Sequence, residues 1–160
     1  MSAKKTGKIL SSSISIDNPK KIKIACVISE WHNEITENFY NGALDKLSQY
    51  GVLDNNIDKV YVPGSFELIF ATKNLINKDY DAIISIGCII KGETKHFQFI
   101  SSAVVGGIKD LNIISNIPII LCVTTDDNIQ QSIDRSGGKF GNKGADSAEA
   151  ALKMIMINSK

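Results

Sequence analysis

The chain has 160 residues, a formal net charge of +1, and 43% hydrophobic and 22% charged residues, which is an ordinary globular balance. That length suits one domain with a sizeable core. The near-zero net charge offers no electrostatic argument for nucleic acid or an acidic membrane surface as a partner. No apolar run reaches membrane-spanning length and the amino terminus lacks a signal-peptide core, so we expect a cytoplasmic protein.

The first twenty residues differ in character from the rest of the chain. Residues 1–20 contain a run of serines and little apolar periodicity, which favours a flexible arm. Ile14 and Ile16 alternate with polar residues, so the end of the arm is expected to pair with a neighbouring subunit as an edge strand. We expect residues 21–160 to form a single folded domain.

The three cysteines lie in similar surroundings. Cys26, Cys88 and Cys122 each sit inside an apolar, strand-like run. An odd number of cysteines in such places predicts buried reduced thiols, with neither a disulfide framework nor a metal site.

Apolar periodicity predicts strands that alternate with helices. Near-continuous apolar strands are typical of a parallel sheet covered on both faces. The pattern predicts an α/β fold: a flavodoxin-like, three-layer α/β/α sandwich with a four-stranded parallel sheet and helices on both faces. Strands are expected over about 22–29, 59–62, 82–90 and 118–124, and helices over about 33–50, 66–77, 94–114, 128–135 and 145–157. Asn33 is the expected cap of the first helix. In the third helix Gly106-Gly107 favours close packing, and one packing face is expected from Phe97, Ile100, Val104, Ile108 and Leu111.

The stretch from Gly87 to His96 combines a candidate anion site with a candidate proton carrier. It follows a strand and opens a helix, where free backbone N–H groups attract anions. Gly92 lets the backbone approach closely, and Thr94 adds a hydroxyl. His96 lies in the first helical turn, and histidine is the side chain best suited to proton transfer near pH 7. Glu93 stands where a Walker A loop needs lysine, which argues against an ATP-binding P-loop.

Every unusual motif lies on one predicted edge of the sheet. In parallel α/β sheets, ligands bind beyond the carboxyl ends of the strands. Those ends carry Trp31-His32-Asn33, residues 63–67, residues 92–96 and the residues after Leu121.

Three motifs follow one another along the chain: Val62-Pro-Gly-Ser-Phe-Glu-Leu68, Gly87-Cys-Ile-Ile-Lys-Gly-Glu-Thr-Lys-His96, and Gln131-Ser-Ile-Asp-Arg135 running into residues 141–144. In this order they resemble the 6,7-dimethyl-8-ribityllumazine synthase family, and the similarity spans about residues 22–155. The resemblance implies condensation of 5-amino-6-ribitylaminouracil with 3,4-dihydroxy-2-butanone 4-phosphate to 6,7-dimethyl-8-ribityllumazine. Phosphate and water are released, in the penultimate step of riboflavin biosynthesis. It implies no metal and no organic cofactor.

The resemblance also implies a role for each residue of the edge. His96 would be the proton-transfer residue, and Arg135 would be catalytic and bind phosphate through charge-assisted contacts. Gly92, Glu93 and Thr94 would hold the same phosphate. The implied substrate-binding residues are Trp31, His32, Gly64, Ser65, Phe66, Glu67, Cys88, Ile89, Ile90, Leu121 and Lys143, with Trp31 stacked on the pyrimidine ring.

Some positions depart from the commoner family pattern. His32 stands where asparagine is more usual, and Ile69 replaces a frequent proline. Leu121 stands where an aromatic residue from a neighbouring subunit often closes the ring pocket, so weaker stacking is expected there. Gln98 replaces a frequent acidic residue, so any orientation of His96 by Gln98 is without charge.

The resemblance implies an assembly as well as a reaction. The expected unit is a homopentamer whose active sites are shared between adjacent subunits. Free pentamers of the resembled family often carry an insertion in the glycine-rich turn before the last helix, whereas this chain has none at 137–144. The resemblance therefore implies closure of pentamers into a 60-copy icosahedral shell. Riboflavin synthase is a further expected partner.

Other interpretations remain open at this stage. The chain could be a non-catalytic shell protein that binds lumazine or flavin, or a flavodoxin-like nucleotide or signalling module. Trp31 could be a core aromatic, Arg135 a solvated helix-end cation, Glu67 a first-turn charge that favours the helix dipole, and Lys143 a solvent-facing side chain.

Overall fold

The computed structural model describes residues 14–159. Most of the predicted arm therefore lies outside the described residues. Its last part does not form a strand: Ile14 and Ile16 are half-buried and pack against the core of their own domain. Pairing of these residues with a neighbouring subunit stays a prediction. Among residues 14–159, no helix has the length and apolar character needed to cross a bilayer.

The strands and helices follow the predicted alternation, preceded and interrupted by short 3-10 turns at Pro19–Lys21 and Asp54–Asn56. The elements are β1 (Ile24–Ser29), α1 (Asn33–Gln49), β2 (Ile57–Val62), α2 (Leu68–Leu75), β3 (Ala82–Ile90), α3 (His96–Ile114), β4 (Ile119–Asp126), α4 (Ile129–Arg135), β5 (Ser136–Gly138), β6 (Gly141–Asn142) and α5 (Lys143–Asn158).

The main sheet confirms the predicted fold class. Its order is β2-β1-β3-β4, and all neighbouring strands are parallel. All six residues of β1 are buried, as expected for a strand with helices on both faces. Because the chain moves outward from β1 to β2 and then returns to β3 on the other side, the sheet has its switch point between β1 and β3. A crevice is expected at the carboxyl ends of these two strands.

Alternate residues of the strands contribute to two separate cores. On one face Cys26 and Ile28 pack with Phe39 of α1 and Leu152 of α5. On the other face Ala25 and Val27 pack with Leu68 of α2 and with Val104 and Ile108 of α3. The period of two along the strand and the four-residue spacing along the helices produce these layers.

Two glycines permit close packing between helices. A Cβ on Gly107 of α3 would lie 2.5 Å from Ile69 Cδ1 of α2, which confirms the close approach predicted for this part of α3. Its neighbour Gly106 faces open space. A Cβ on Gly144 of α5 would overlap the carbonyl oxygen of Phe39, so α5 rests directly on the backbone of α1.

The helix α5 begins two residues before its predicted start because Asn142 caps it. The Asn142 side-chain oxygen accepts hydrogen bonds from the backbone N–H of Gly144, at 2.8 Å, and of Ala145, at 3.3 Å. The Asn142 amide also donates to the carbonyl of Asn38 at 2.9 Å. The preceding glycine-rich break is not a plain loop, because β5 and β6 pair as a short antiparallel hairpin.

Two further local predictions were wrong. Asn33 is the first residue of α1 and not its cap; the capping position is His32, with φ 59° and no side-chain cap. The strand β4 ends at Asp126 and not at Thr124, because Thr125 and Asp126 continue to pair with the end of β3.

The predicted burial of all three cysteines is confirmed. Cys26, Cys88 and Cys122 are free thiols, and each is at most 1% exposed. Burial raises the pKa of all three thiols, that of Cys122 to about 11. They therefore remain protonated at neutral pH.

Candidate active site

A cavity of about 500 Å³ opens at the carboxyl ends of β1, β2 and β3, beside the first turn of α3. This is the crevice that the strand order predicts. Its lining comprises Trp31, His32, Gly64, Ser65, Phe66, Glu67, Cys88, Ile89, Ile90, Gly92, Thr94, His96, Phe97 and Ile100.

The aromatic side of the cavity is built by the turns after β1 and β2. The backbone N–H of Glu30 donates to Val62 O at 2.8 Å, and that of Trp31 donates to Pro63 O at 3.2 Å, which ties the two turns together. Trp31 is 68% exposed, so it is not a core aromatic. Phe66 is 52% exposed on the same cavity. Two rings are thus available to a planar ligand.

His32 stands beside Trp31 in an uncommon backbone conformation. The two rings meet edge to face, with centroids 6.1 Å apart and planes at 80°. The φ of 59° is left-handed, a region that asparagine and histidine enter more readily than most side chains. Burial lowers the pKa of His32, so its imidazole is neutral at pH 7.

The predicted phosphate segment forms an exposed turn between β3 and α3. The side-chain oxygen of Thr94 accepts a hydrogen bond from the backbone N–H of His96 at 3.3 Å. A Cβ on Gly92 would meet no atom within 4 Å, so this side of the turn is open. Gly92 and Thr94 line the cavity, whereas Glu93 does not.

His96 is the first residue of α3, and its side chain lines the cavity. This confirms the predicted position in the first helical turn. Within the described part of the chain, no group hydrogen-bonds its imidazole. The ring is exposed and can meet a substrate in the cavity.

Arg135, Leu121 and Lys143 do not line this cavity. Arg135 ends α4, where its Nη1 donates to Gln131 O at 3.0 Å. Leu121 lies within β4, where it pairs with Ser85 and packs against the second core. Lys143 is an exposed residue at the start of α5. A single chain therefore does not bring these three residues to His96.

Four residues at this edge have contacts that the sequence did not predict. Phe97 and Ile100 pack against the second core, as predicted for this face of α3, and they also form part of the cavity wall. Asp126 and Ser132 are buried polar residues that were not singled out. A carboxylate at the end of an apolar strand, and a serine on the inner face of a short helix, are the signals that would have found them.

The fold and the cavity together define a flavodoxin-like α/β protein with a small-molecule site at its strand ends. The family model for 6,7-dimethyl-8-ribityllumazine synthase matches residues 21–159. The chain therefore belongs to this family. It is an enzyme of the transferase class, and it acts in riboflavin biosynthesis.

Individual relatives agree with the family match. Proteins named 6,7-dimethyl-8-ribityllumazine synthase from Flavobacterium psychrophilum and Flavobacterium johnsoniae are each 50% identical over 147 residues. The aligned part is 91% of this chain and 78% and 77% of those relatives. A relative of the same name from Parabacteroides distasonis is 43% identical over 146 residues, which are 91% of both chains.

Proposed function

We propose that this enzyme condenses 5-amino-6-ribitylaminouracil with 3,4-dihydroxy-2-butanone 4-phosphate, releasing phosphate and water and forming 6,7-dimethyl-8-ribityllumazine. The observation that carries the proposal is one cavity lined by two exposed rings, a histidine and an open glycine turn. Its volume of about 500 Å³ lies in the usual range for small-molecule sites.

The ring of the uracil substrate is assigned to the aromatic side of the cavity. Trp31 and Phe66 present exposed faces or edges for stacking. Ser65 is 7% exposed, and its hydroxyl has no partner among the described residues. A buried hydroxyl is stabilised when it gains a hydrogen bond. Ser65 and Glu67 are therefore proposed to bind the polar ring edge and the ribityl chain.

The phosphorylated substrate is assigned to the other end, at Gly92 and Thr94. Backbone N–H groups at the start of α3 and the Thr94 hydroxyl suit a phosphate. His96 then lies beside the carbon atoms of the same substrate. It is proposed to transfer protons as the uracil amino group adds to the ketone and water leaves, and again as phosphate is eliminated.

The position of Arg135 supports a site shared between adjacent subunits. It lies at the β4 end of the strand edge, 39% exposed, and outside the cavity of its own chain. We assign Arg135, Lys143 and Leu121 to the cavity of a neighbouring subunit. A ring built from such head-to-tail contacts closes by cyclic symmetry, and a pentamer is the proposed working unit.

Exposed apolar side chains support an assembly. Phe70 of α2 is 67% exposed, and Phe99 and Ile113 of α3 are 69% and 73% exposed. Large apolar groups on one helical layer favour burial against other subunits.

Mixing two impaired variants tests the shared site, with the butanone phosphate held below its wild-type KM so that both defects lower the rate. His96→Ala and Arg135→Ala chains are denatured together in equal amounts and refolded, with each variant refolded alone as the control. If each site takes His96 from one chain and Arg135 from the next, about one quarter of the sites in random rings regain both groups. No gain above the two controls would show that both groups act within one chain.

The hairpin before α5 bears on the number of subunits in the assembly. The hairpin that leads into α5 is compact, with no insertion between Gly138 and Gly141. This supports a closed 60-copy shell of about one megadalton, built from the 17.4 kDa chain. Light scattering coupled to size exclusion measures the mass. A single species of five subunits would overturn the shell and leave the pentamer in place.

The reaction itself is tested by mixing the enzyme with both substrates. The absorbance of the lumazine product should rise with time and with enzyme concentration. Binding of lumazine without its formation would instead favour a non-catalytic shell protein. The product is the substrate of riboflavin synthase, which is therefore proposed as a partner.

A further inference from the structure

Asp126 is a buried carboxylate that the proposed reaction does not use. It ends β4 and is 4% exposed. Its Oδ2 accepts a hydrogen bond from Ser132 Oγ at 2.8 Å. Its Oδ1 lies 3.7 Å from Nη1 of Arg135. Both partners belong to α4 and are three residues apart, so they face the same side of that short helix.

A carboxylate in such a place needs both donors and a compensating charge. Ser132 is fully buried and supplies one donor. Arg135 supplies the charge, because its guanidinium is always protonated. The single carboxylate thus holds α4 at two points, and it restrains the end of the arginine side chain.

The same group is connected to the cavity of its own chain. The Cys88 thiol donates to Ser132 Oγ at 3.4 Å, and Cys88 lines the cavity. Burial raises the pKa of this thiol, so it keeps the proton that it donates. The order of donation therefore runs from Cys88 to Ser132 to Asp126.

The guanidinium is only partly occupied by these contacts. Its Nη1 meets Gln131 O and Asp126, and the ring of Phe140 lies 5.5 Å from its Cζ. Among residues 14–159, Nη2 and Nε have no hydrogen-bond partner. One edge of the planar group is thus held, and another is available for the paired contacts that a phosphate prefers.

We infer that Asp126 is a positioning residue for Arg135, which holds Nη1 so that the remaining donors of the guanidinium point to the phosphate of the butanone substrate. This inference rests on the proposed role of Arg135. It adds that the orientation of the arginine is set by a buried acid on the neighbouring strand.

A double-mutant cycle tests the inference. Asp126→Asn, which keeps the size of the side chain, is made in the wild type and in Arg135→Ala, and kcat and KM for the butanone phosphate are measured. In the wild-type background KM should rise about fivefold, a coupling expected for contacting charged groups, while kcat changes by less than about twofold. In the Arg135→Ala background the second substitution should add no further rise.

Two matched variants separate positioning from a general effect of charge or packing. Asp127→Asn removes the adjacent exposed carboxylate, which pairs with Lys91 at 3.7 Å, and should leave KM unchanged. Ser132→Ala removes one donor but keeps the carboxylate, so its rise in KM should be smaller than that of Asp126→Asn. Thermal melting identifies variants that fail to fold, and Asp126→Glu then replaces Asp126→Asn in the cycle.

Failure of the positioning role and failure of the proposed role of Arg135 give different results. An equal rise in KM in both backgrounds, or no rise in the wild-type background, overturns the positioning role while Arg135→Ala alone still raises KM. If Arg135→Ala alone leaves KM unchanged, the proposed role of Arg135 fails, and the inference fails with it.

Discussion

The two segments that we propose to act in the reaction hold their key side chains in opposite ways. His96 projects from the first turn of α3 into an open cavity, with no hydrogen bond to its ring from the described residues. Arg135 ends α4, bound to Gln131 O, beside the buried Asp126 and over the ring of Phe140. One group is left adjustable, and the other is restrained before any substrate arrives.

This difference matches the demands of the two proposed tasks. A proton carrier that serves successive steps must reach different atoms, so a single fixed orientation would limit it. An anion-binding group gains affinity when it is already ordered, because less side-chain entropy is lost on binding. Variants of His96 should therefore affect kcat, and variants of Arg135 should affect KM.

The largest effect is expected at the adjustable segment. His96→Ala should lower kcat by about 10²-fold, the lower end of the range for general acid–base catalysis, because imine formation also proceeds without a protein catalyst. Steady-state kinetics measures the change, and Lys95→Ala, the adjacent exposed residue, is the control. An unchanged kcat in His96→Ala would remove His96 from the mechanism.

A smaller effect on a different parameter is expected at the restrained segment. Arg135→Ala should raise KM for the butanone phosphate at least tenfold. Loss of a charge-assisted hydrogen bond costs about 1.5–3 kcal/mol, and the lower end applies because Arg135 is partly exposed. Arg135→Lys should recover only part of the loss, because lysine lacks the planar fork.

Lys139 provides the matched control for that experiment. Its Nζ lies 5.0 Å from the ring centroid of Phe140 and pairs with Asp134 at 3.0 Å. Lys139→Ala therefore removes a nearby positive charge without removing the guanidinium. If both variants raise KM equally, the effect is one of local potential and not of a specific arginine contact.

The smallest effect is expected at His32, in the turn between β1 and α1. Burial lowers its pKa in the folded protein from an ordinary value of 6.5. As the pH falls through 6.5 the unfolded chain binds more protons, so stability present above that pH is lost. In His32→Asn the side chain at this position cannot titrate. The fall in Tm between pH 7.5 and 5.5 should therefore be smaller than in the wild type by about 1 °C. Plots of Tm against pH that run parallel for the wild type and His32→Asn would contradict this prediction.

The elements that could be predicted well from the sequence are those with a strong local pattern of apolar residues. The apolar run of residues 82–90 is a strand with the predicted bounds. Val104, Ile108 and Leu111 form the buried face predicted for α3. In both cases the burial of a residue follows from its spacing to its own neighbours, which a sequence displays directly.

The arrangement of the site along the strand edge could not be predicted in this way. Spacing places both His96 and Arg135 at carboxyl ends of strands, but it does not show that the cavity of one chain includes His96 and excludes Arg135. The hydrogen bond from Asn142 to the carbonyl of Asn38 and the contact of Asp126 with Arg135 depend on how separate elements meet. These contacts are products of packing between elements, and no local period marks them.

Because the three thiols are buried, their labelling rates can measure local and global unfolding of this enzyme. Cys88 borders the cavity, whereas Cys26 of β1 and Cys122 of β4 lie in the core between the sheet and the helices α1 and α5. A thiol reagent can attack only after local or global unfolding exposes a thiolate. The alkylation rate of Cys88 would then measure how often the cavity wall opens. The alkylation rates of Cys26 and Cys122 would measure how often the strands separate. One labelling series would thus rank the free energies of opening of the site and the scaffold.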